Sequence, residues 1–76
     1  MEYSKALRKV MAEQGVSAIE LARRLNKTRG YVSQLMSGTI SEPRLGRAFE
    51  ISDALGVPLD KFTALMYEDE AKKGEE

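Results

Sequence analysis

Apolar residues along the chain return every three or four positions, and period-2 alternation never persists beyond a few residues. That spacing predicts helices and no sheet. Tyr3, Leu7, Val10 and Met11 form one face of a first helix, which Gly15 ends. Ser17 and Glu20 then stand as a Ser-x-x-Glu capping box. In that device the hydroxyl takes a free helix-start amide and the carboxylate reaches back to the cap's own amide. A short second helix to about Leu25 turns Leu21, Ala22 and Leu25 inward, and Asn26 tolerates the left-handed backbone its end requires. Thr28 caps a third helix that runs to about Ser37, anchored by Val32, Leu35 and Met36 and closed by Gly38.

Pro43 marks the start of a fourth helix, as proline is accepted in a first turn and not deeper. Leu45, Ala48, Phe49, Ile51, Ser52 and Leu55 give it a wide expected inner face, and Gly56 closes it. Pro58 opens a fifth helix with Leu59, Phe62, Leu65 and Met66 inward. From Glu68 the chain carries almost no apolar anchor, so residues 68–76 are expected to be a charged, disordered tail to a domain of residues 1–67. The fold class expected is all-α, a compact bundle of five helices.

Composition narrows the chemistry. The 76 residues include no cysteine and no histidine, which removes disulfides, Cys/His zinc sites, thiol nucleophiles and imidazole bases. No Gly-rich phosphate loop is present, and the only clustered acids fall in the tail, so an enzyme is not expected, nor a metal, a cofactor or a small-molecule ligand. The longest apolar run is Ala64 to Tyr67, too short for a membrane span. A soluble intracellular domain, in the cytoplasm, is the expectation.

The formal net charge of zero conceals a polarity. Residues 1–47 carry nine basic and four acidic side chains, whereas residues 48–76 carry three basic and eight acidic. One part of the molecule therefore suits an anionic partner and the other repels it.

The second and third helices are short and separated by two or three residues, the geometry of a helix-turn-helix. Ala22 supplies the small residue at the helix crossing, Asn26 the reversal, and Val32 and Leu35 the narrow anchor, while Arg29, Tyr31, Ser33 and Gln34 remain polar and free. Base edges in the major groove are read by bidentate groups, arginine on guanine and glutamine on adenine. Arg29, Ser33 and Gln34 are therefore expected to read bases, with Gly30 allowing close backbone approach. Phosphate contacts should flank that helix. The candidates are Ser17 and Ala18 at a helix start, Lys27, Thr28, Tyr31, Ser37, Thr39 and Arg44. Arg23, Arg24 and Arg47 are weaker candidates, and Lys5, Arg8 and Lys9 are expected to act only through their field. Phe62, Leu65, Met66 and Tyr67 crowd the fifth helix and are expected to form a self-complementary dimer patch.

Residues 3–67 resemble the phage-repressor/Cro-like helix-turn-helix family. The resemblance rests on Ser17-x-x-Glu20-Leu21-Ala22, Tyr31-Val32-Ser33-x-Leu35, Gly38, Pro43 and Ala54-Leu55-Gly56-Val57, in that order. It implies a lambda-repressor-like domain of five helices whose third helix enters the major groove of double-stranded DNA, usually as a symmetric homodimer. It further implies a bacterial or phage-encoded transcriptional regulator of the repressor kind; antitoxins and controllers of restriction–modification genes share the same domain. Two departures stand out. The family often has glutamine where Ala18 stands here, and often pairs an arginine with a glutamate where this chain has Met11 and Met36. A buried ion pair replaced on both sides by apolar groups is often neutral or stabilising, so Met11 and Met36 are expected to touch.

Overall fold

A computed structural model describes the backbone of residues 1–74 and the side chains of residues 1–67. Five helices follow in order: α1 (Tyr3–Gln14), α2 (Ala18–Leu25), α3 (Arg29–Ser37), α4 (Leu45–Leu55) and α5 (Leu59–Gly74). No strand occurs among the described residues. Helix α5 continues without a break past position 67; the side chains expected to form the tail lie outside the described residues, as do residues 75 and 76 altogether.

Each junction is made by a residue chosen for its backbone. At the end of α1 the chain turns left-handed at Gly15, and the Val16 amide returns to the Met11 carbonyl at 2.9 Å. At the end of α2 the residue in that conformation is Asn26, with φ +57°, and the Lys27 amide returns to the Ala22 carbonyl at 2.9 Å. It is the one non-glycine residue with positive φ among those described. Pro43 lies one residue before the N-cap, Arg44, and so precedes the first turn of α4 instead of entering it.

The core lies where α1 meets α3, α4 and α5, and α2 packs on α3 and α4. Leu7, Val10, Leu21, Val32, Leu35, Ile51 and Phe62 are its fully buried large side chains. Tyr3 stacks on Phe62 with ring centroids 5.2 Å apart, tying the first turn of α1 to α5. Two polar links reinforce that pairing. The Met1 amine donates to the Met66 carbonyl at 2.7 Å, and Lys61 stands 3.5 Å from Glu13. Met11 is buried and Met36 half-buried against the same cluster, so the two methionines share one apolar environment.

Helix α4 departs from expectation. Ala48, Ile51, Ser52 and Leu55 are buried, but Leu45 is 71% and Phe49 62% exposed. At 100° per residue the four buried positions share one arc, while Leu45 and Phe49 sit together on its flank, about 80–160° away from Ile51 and Leu55 on the far side of Ala48 and Ser52. Six residues of an eleven-residue helix cannot all face a single neighbour. Ser52 joins the interior because its hydroxyl donates back to the Ala48 carbonyl at 2.8 Å.

Candidate nucleic-acid interface

Helix α3 divides cleanly into two sides. Val32 and Leu35 are buried, and Tyr31 and Met36 are half-buried against the core. Arg29, Gly30, Ser33, Gln34 and Ser37 are all exposed. At 100° per residue these five occupy one continuous arc of about 140°, opposite the anchors. The four residues expected to read bases thus share a single polar face.

The helix is held by its N-cap. Thr28 Oγ1 accepts from the Tyr31 amide at 3.1 Å. The same device starts α2, where Ser17 Oγ accepts from the Glu20 amide at 3.1 Å. A hydroxyl that accepts a cap bond keeps its own proton, so Ser17 and Thr28 can each still donate to a phosphate oxygen. Only half of the expected capping box forms, however. The Glu20 carboxylate turns to Arg23 (Nη2 at 2.6 Å) and to Arg24 (Nε at 2.8 Å). Charge-assisted bonds to two guanidiniums one turn along outcompete a neutral amide, and the Arg23 hydrogen bond, followed by that of Arg24, holds the Glu20 carboxyl below its ordinary pKa.

That pairing sorts the cations. Arg23 and Arg24 are paired with Glu20, and Arg47 with Glu50 at 2.9 Å. Arg24 also donates to the Ala54 carbonyl at 2.8 Å, capping the end of α4 from α2. Sequence reasoning missed this role; an arginine in the last turn of a short helix was its one signal. Among the described residues, Lys27, Arg29 and Arg44 have no carboxylate within ion-pair distance, and all three are exposed. Lys5, Arg8 and Lys9 on α1 likewise have no carboxylate within that distance, so pairing separates Lys27, Arg29 and Arg44 from Arg23, Arg24 and Arg47 but not from the cations of α1.

The remaining phosphate candidates differ among themselves. Ala18 is half-buried at the start of α2, and exposed Ile19, at 63%, follows it. Ser37 Oγ and Thr39 Oγ1 lie 2.9 Å apart, and Ser37 Oγ is 3.3 Å from the Gln34 carbonyl. Those two hydroxyls serve the end of α3 first. Tyr31 packs its ring on the core.

The expected dimer patch on α5 separates. Phe62 and Leu65 are only 2% and 8% exposed, because they complete the interior of the single chain, and Met66 is half-buried. Tyr67, at 56%, is the exposed member. The large apolar side chains that reach the surface are instead Leu45 and Phe49 on α4, together with Tyr67 and Ile19. No helix among the described residues is long and apolar enough to cross a membrane, and those residues contain no cluster of acids or other ligands able to hold a metal ion.

Comparison with curated proteins and with solved structures yields no match. A family model described as helix-turn-helix matches residues 5–62, from the first turn of α1 to the first turn of α5, and so takes in both caps, the left-handed turn and the whole polar arc of α3. The chain belongs to the helix-turn-helix family of the Cro-like type, whose members are DNA-binding transcription regulators.

Proposed function

We propose that this regulator is a repressor that reads double-stranded DNA with α3 in the major groove, as a symmetric dimer on an inverted repeat. The observation that carries the reading is the exposed arc of Arg29, Gly30, Ser33 and Gln34, flanked by the unpaired cations Lys27 and Arg44. Arg29 and Gln34 supply the bidentate groups that distinguish guanine and adenine, Ser33 adds a hydroxyl between them, and Gly30 lets the backbone come close. Ser17, Lys27, Thr28 and Arg44 hold the phosphates, with the α2 start at Ala18 presenting amides to the same backbone. Tyr31, Ser37 and Thr39 are secondary contacts in this reading, because packing and helix-end bonds already engage them. Occupying the site is sufficient for repression, and a cytoplasmic bacterial or phage setting is where such a domain meets its operator.

The dimer contact in this reading is built on Leu45 and Phe49 with Tyr67, not on Phe62 and Leu65. Each of the three exposes on the order of 100 Å² of apolar side chain, about 300 Å² per copy in all. A standard interface buries roughly 800 Å² per partner, somewhat over half of it apolar. The patch therefore suffices for the centre of a small twofold contact. Charge favours a second copy over an anionic or cationic partner, because Arg44 and Arg47 on this helix are balanced by Glu50 and Asp53.

Selection from a randomised duplex pool at near-physiological salt, with sequencing of the bound fraction, tests the proposal. An inverted repeat with half-site centres about 10 base pairs apart is the expected result. Salt-sensitive binding with no enriched sequence would overturn it in favour of a partner-dependent antitoxin or a restriction–modification controller.

A further inference from the structure

Three bonds in series join the start of α2 to the end of α4. Ser17 Oγ accepts from the Glu20 amide, the Glu20 carboxylate accepts from Arg24 Nε at 2.8 Å, and Arg24 Nη1 donates to the Ala54 carbonyl at 2.8 Å. Ala54 lies in the last turn of α4, where carbonyls lack a partner within the helix. The carbonyls of Ser52 and Asp53 are taken by the amides of Val57 and Gly56. The Ala54 oxygen is met by the guanidinium instead, whose charge also suits the negative end of a helix.

We propose that Arg24 is a positioning residue for the dimeric reading of DNA: it fixes the angle between the α2–α3 pair and α4, and through that angle the half-site spacing the dimer accepts. The inference rests on the reading in which α3 meets the bases and Leu45 and Phe49 of α4 meet the second copy. Helix α2 has eight residues and buries only Leu21 and Ala22, and α4 is joined to α3 at one end through residues 38–44. Apolar packing sets a helix crossing angle only to within about 15–20°. A guanidinium fork bonded on two sides is directional, and it attaches α4 at the end opposite that connection. The lever is long. Reading helices about 34 Å apart stand roughly 17 Å from the twofold axis, so a turn of about 10° moves each by roughly 3 Å, close to the rise of one base pair. Because the link is exposed, it adds little to stability, and its effect falls on geometry.

Arg24→Lys is the test, since it keeps the charge but replaces the fork by one ammonium that cannot hold Glu20 and Ala54 in the same two directions. Residual dipolar couplings of the full chain without DNA should fit one alignment for α2, α3 and α4 in the wild type. In the variant α4 should be reoriented or less ordered, with the thermal midpoint lowered by no more than about 5 °C. On inverted repeats the variant should lose roughly three- to tenfold of the preference for the selected spacing over repeats one base pair longer or shorter, the ratio that one net hydrogen bond gives. Affinity for an isolated half-site and the salt slope should not change. Glu20→Gln should lose part of the same preference and add nothing to Arg24→Lys. Unchanged couplings would overturn the proposal, as would a spacing preference that survives in the variant. An equal loss on the half-site would also overturn it, for then Arg24 acts at the DNA itself. Failure to enrich any inverted repeat would overturn the dimeric reading and the spacing claim with it, while the couplings, recorded without DNA, still decide whether Arg24 holds α2 to α4.

Discussion

Arg29 and Gln34 differ from Lys27 in what each can recognise, although all three are exposed cations or amides around one helix. A planar fork or a carboxamide matches a base edge in one orientation, whereas an ammonium meets any phosphate. Alanine at Arg29 or Gln34 is therefore expected to cost about 1–3 kcal/mol on the selected operator and to relax preference at a single base pair. Lys27→Ala should weaken every sequence alike and lower the salt slope by about one. Binding isotherms on the operator and on point-substituted operators, at several salt concentrations, separate the two outcomes; equal behaviour would dissolve the division of roles. Glu20 makes a different prediction. Its carboxyl is more acidic in the folded chain, because Arg23 and then Arg24 bond it. The stabilisation is thus complete above the ordinary carboxyl value of 4.5 and is lost as pH falls below that through the lowered one. Thermal midpoints of the wild type and Glu20→Gln should differ slightly at neutral pH and converge in acid.

At the level of elements, the turn between α2 and α3 fixes how far the reading helix stands from the rest of the domain. Asn26 carries that turn at φ +57°. Asn26→Ala is expected to cost about 1 kcal/mol, because a Cβ without a local hydrogen-bonding group fits the left-handed region poorly, while Asn26→Gly should be neutral or slightly stabilising. Gly38 is under tighter constraint: its φ is +87°, and an added Cβ would stand 3.4 Å from Ser4 Oγ. Gly38→Ala should therefore destabilise more than Asn26→Ala in urea unfolding, and should disturb the contact between α1 and the end of α3. These turns were legible in the sequence because each rests on a local rule: Ser17, Thr28, Asn26 and the three glycines act within four residues of themselves. The anchors Val32 and Leu35 were legible for the same reason, since period alone separates them from Arg29 and Gln34. What stayed hidden depended on distant neighbours. Periodicity placed Leu45 and Phe49 on a wide apolar face of α4, but which part of that face meets α1 and α5 is decided by the packing of three helices. The choice of Arg23 and Arg24 over the cap amide by Glu20, and the bond from Arg24 to Ala54, likewise follow from competition that no single motif expresses.

For the whole molecule, the decisive question is how two copies meet, because one nine-residue reading helix addresses only half of a palindromic operator. The apolar residues of α5 and of α4 have exchanged the roles expected of them. Phe62 and Leu65 close the interior against α1, with Phe62 stacked on Tyr3, whereas Leu45 and Phe49 stand in water. Substitutions on the two helices must then have opposite signatures. Phe62→Ala removes a buried aromatic side chain and should cost about 3–5 kcal/mol of chain stability, enough to unfold much of a small domain. Leu45→Ser with Phe49→Ser removes only exposed apolar surface. Thermal stability at low protein concentration should hold or improve slightly, while sedimentation should show a shift toward the monomer. Operator affinity should then fall steeply on the inverted repeat and little on an isolated half-site, because linked binding of two reading helices is lost while each helix is unchanged. A variant that remains dimeric and keeps full affinity on the inverted repeat would move the twofold contact off α4.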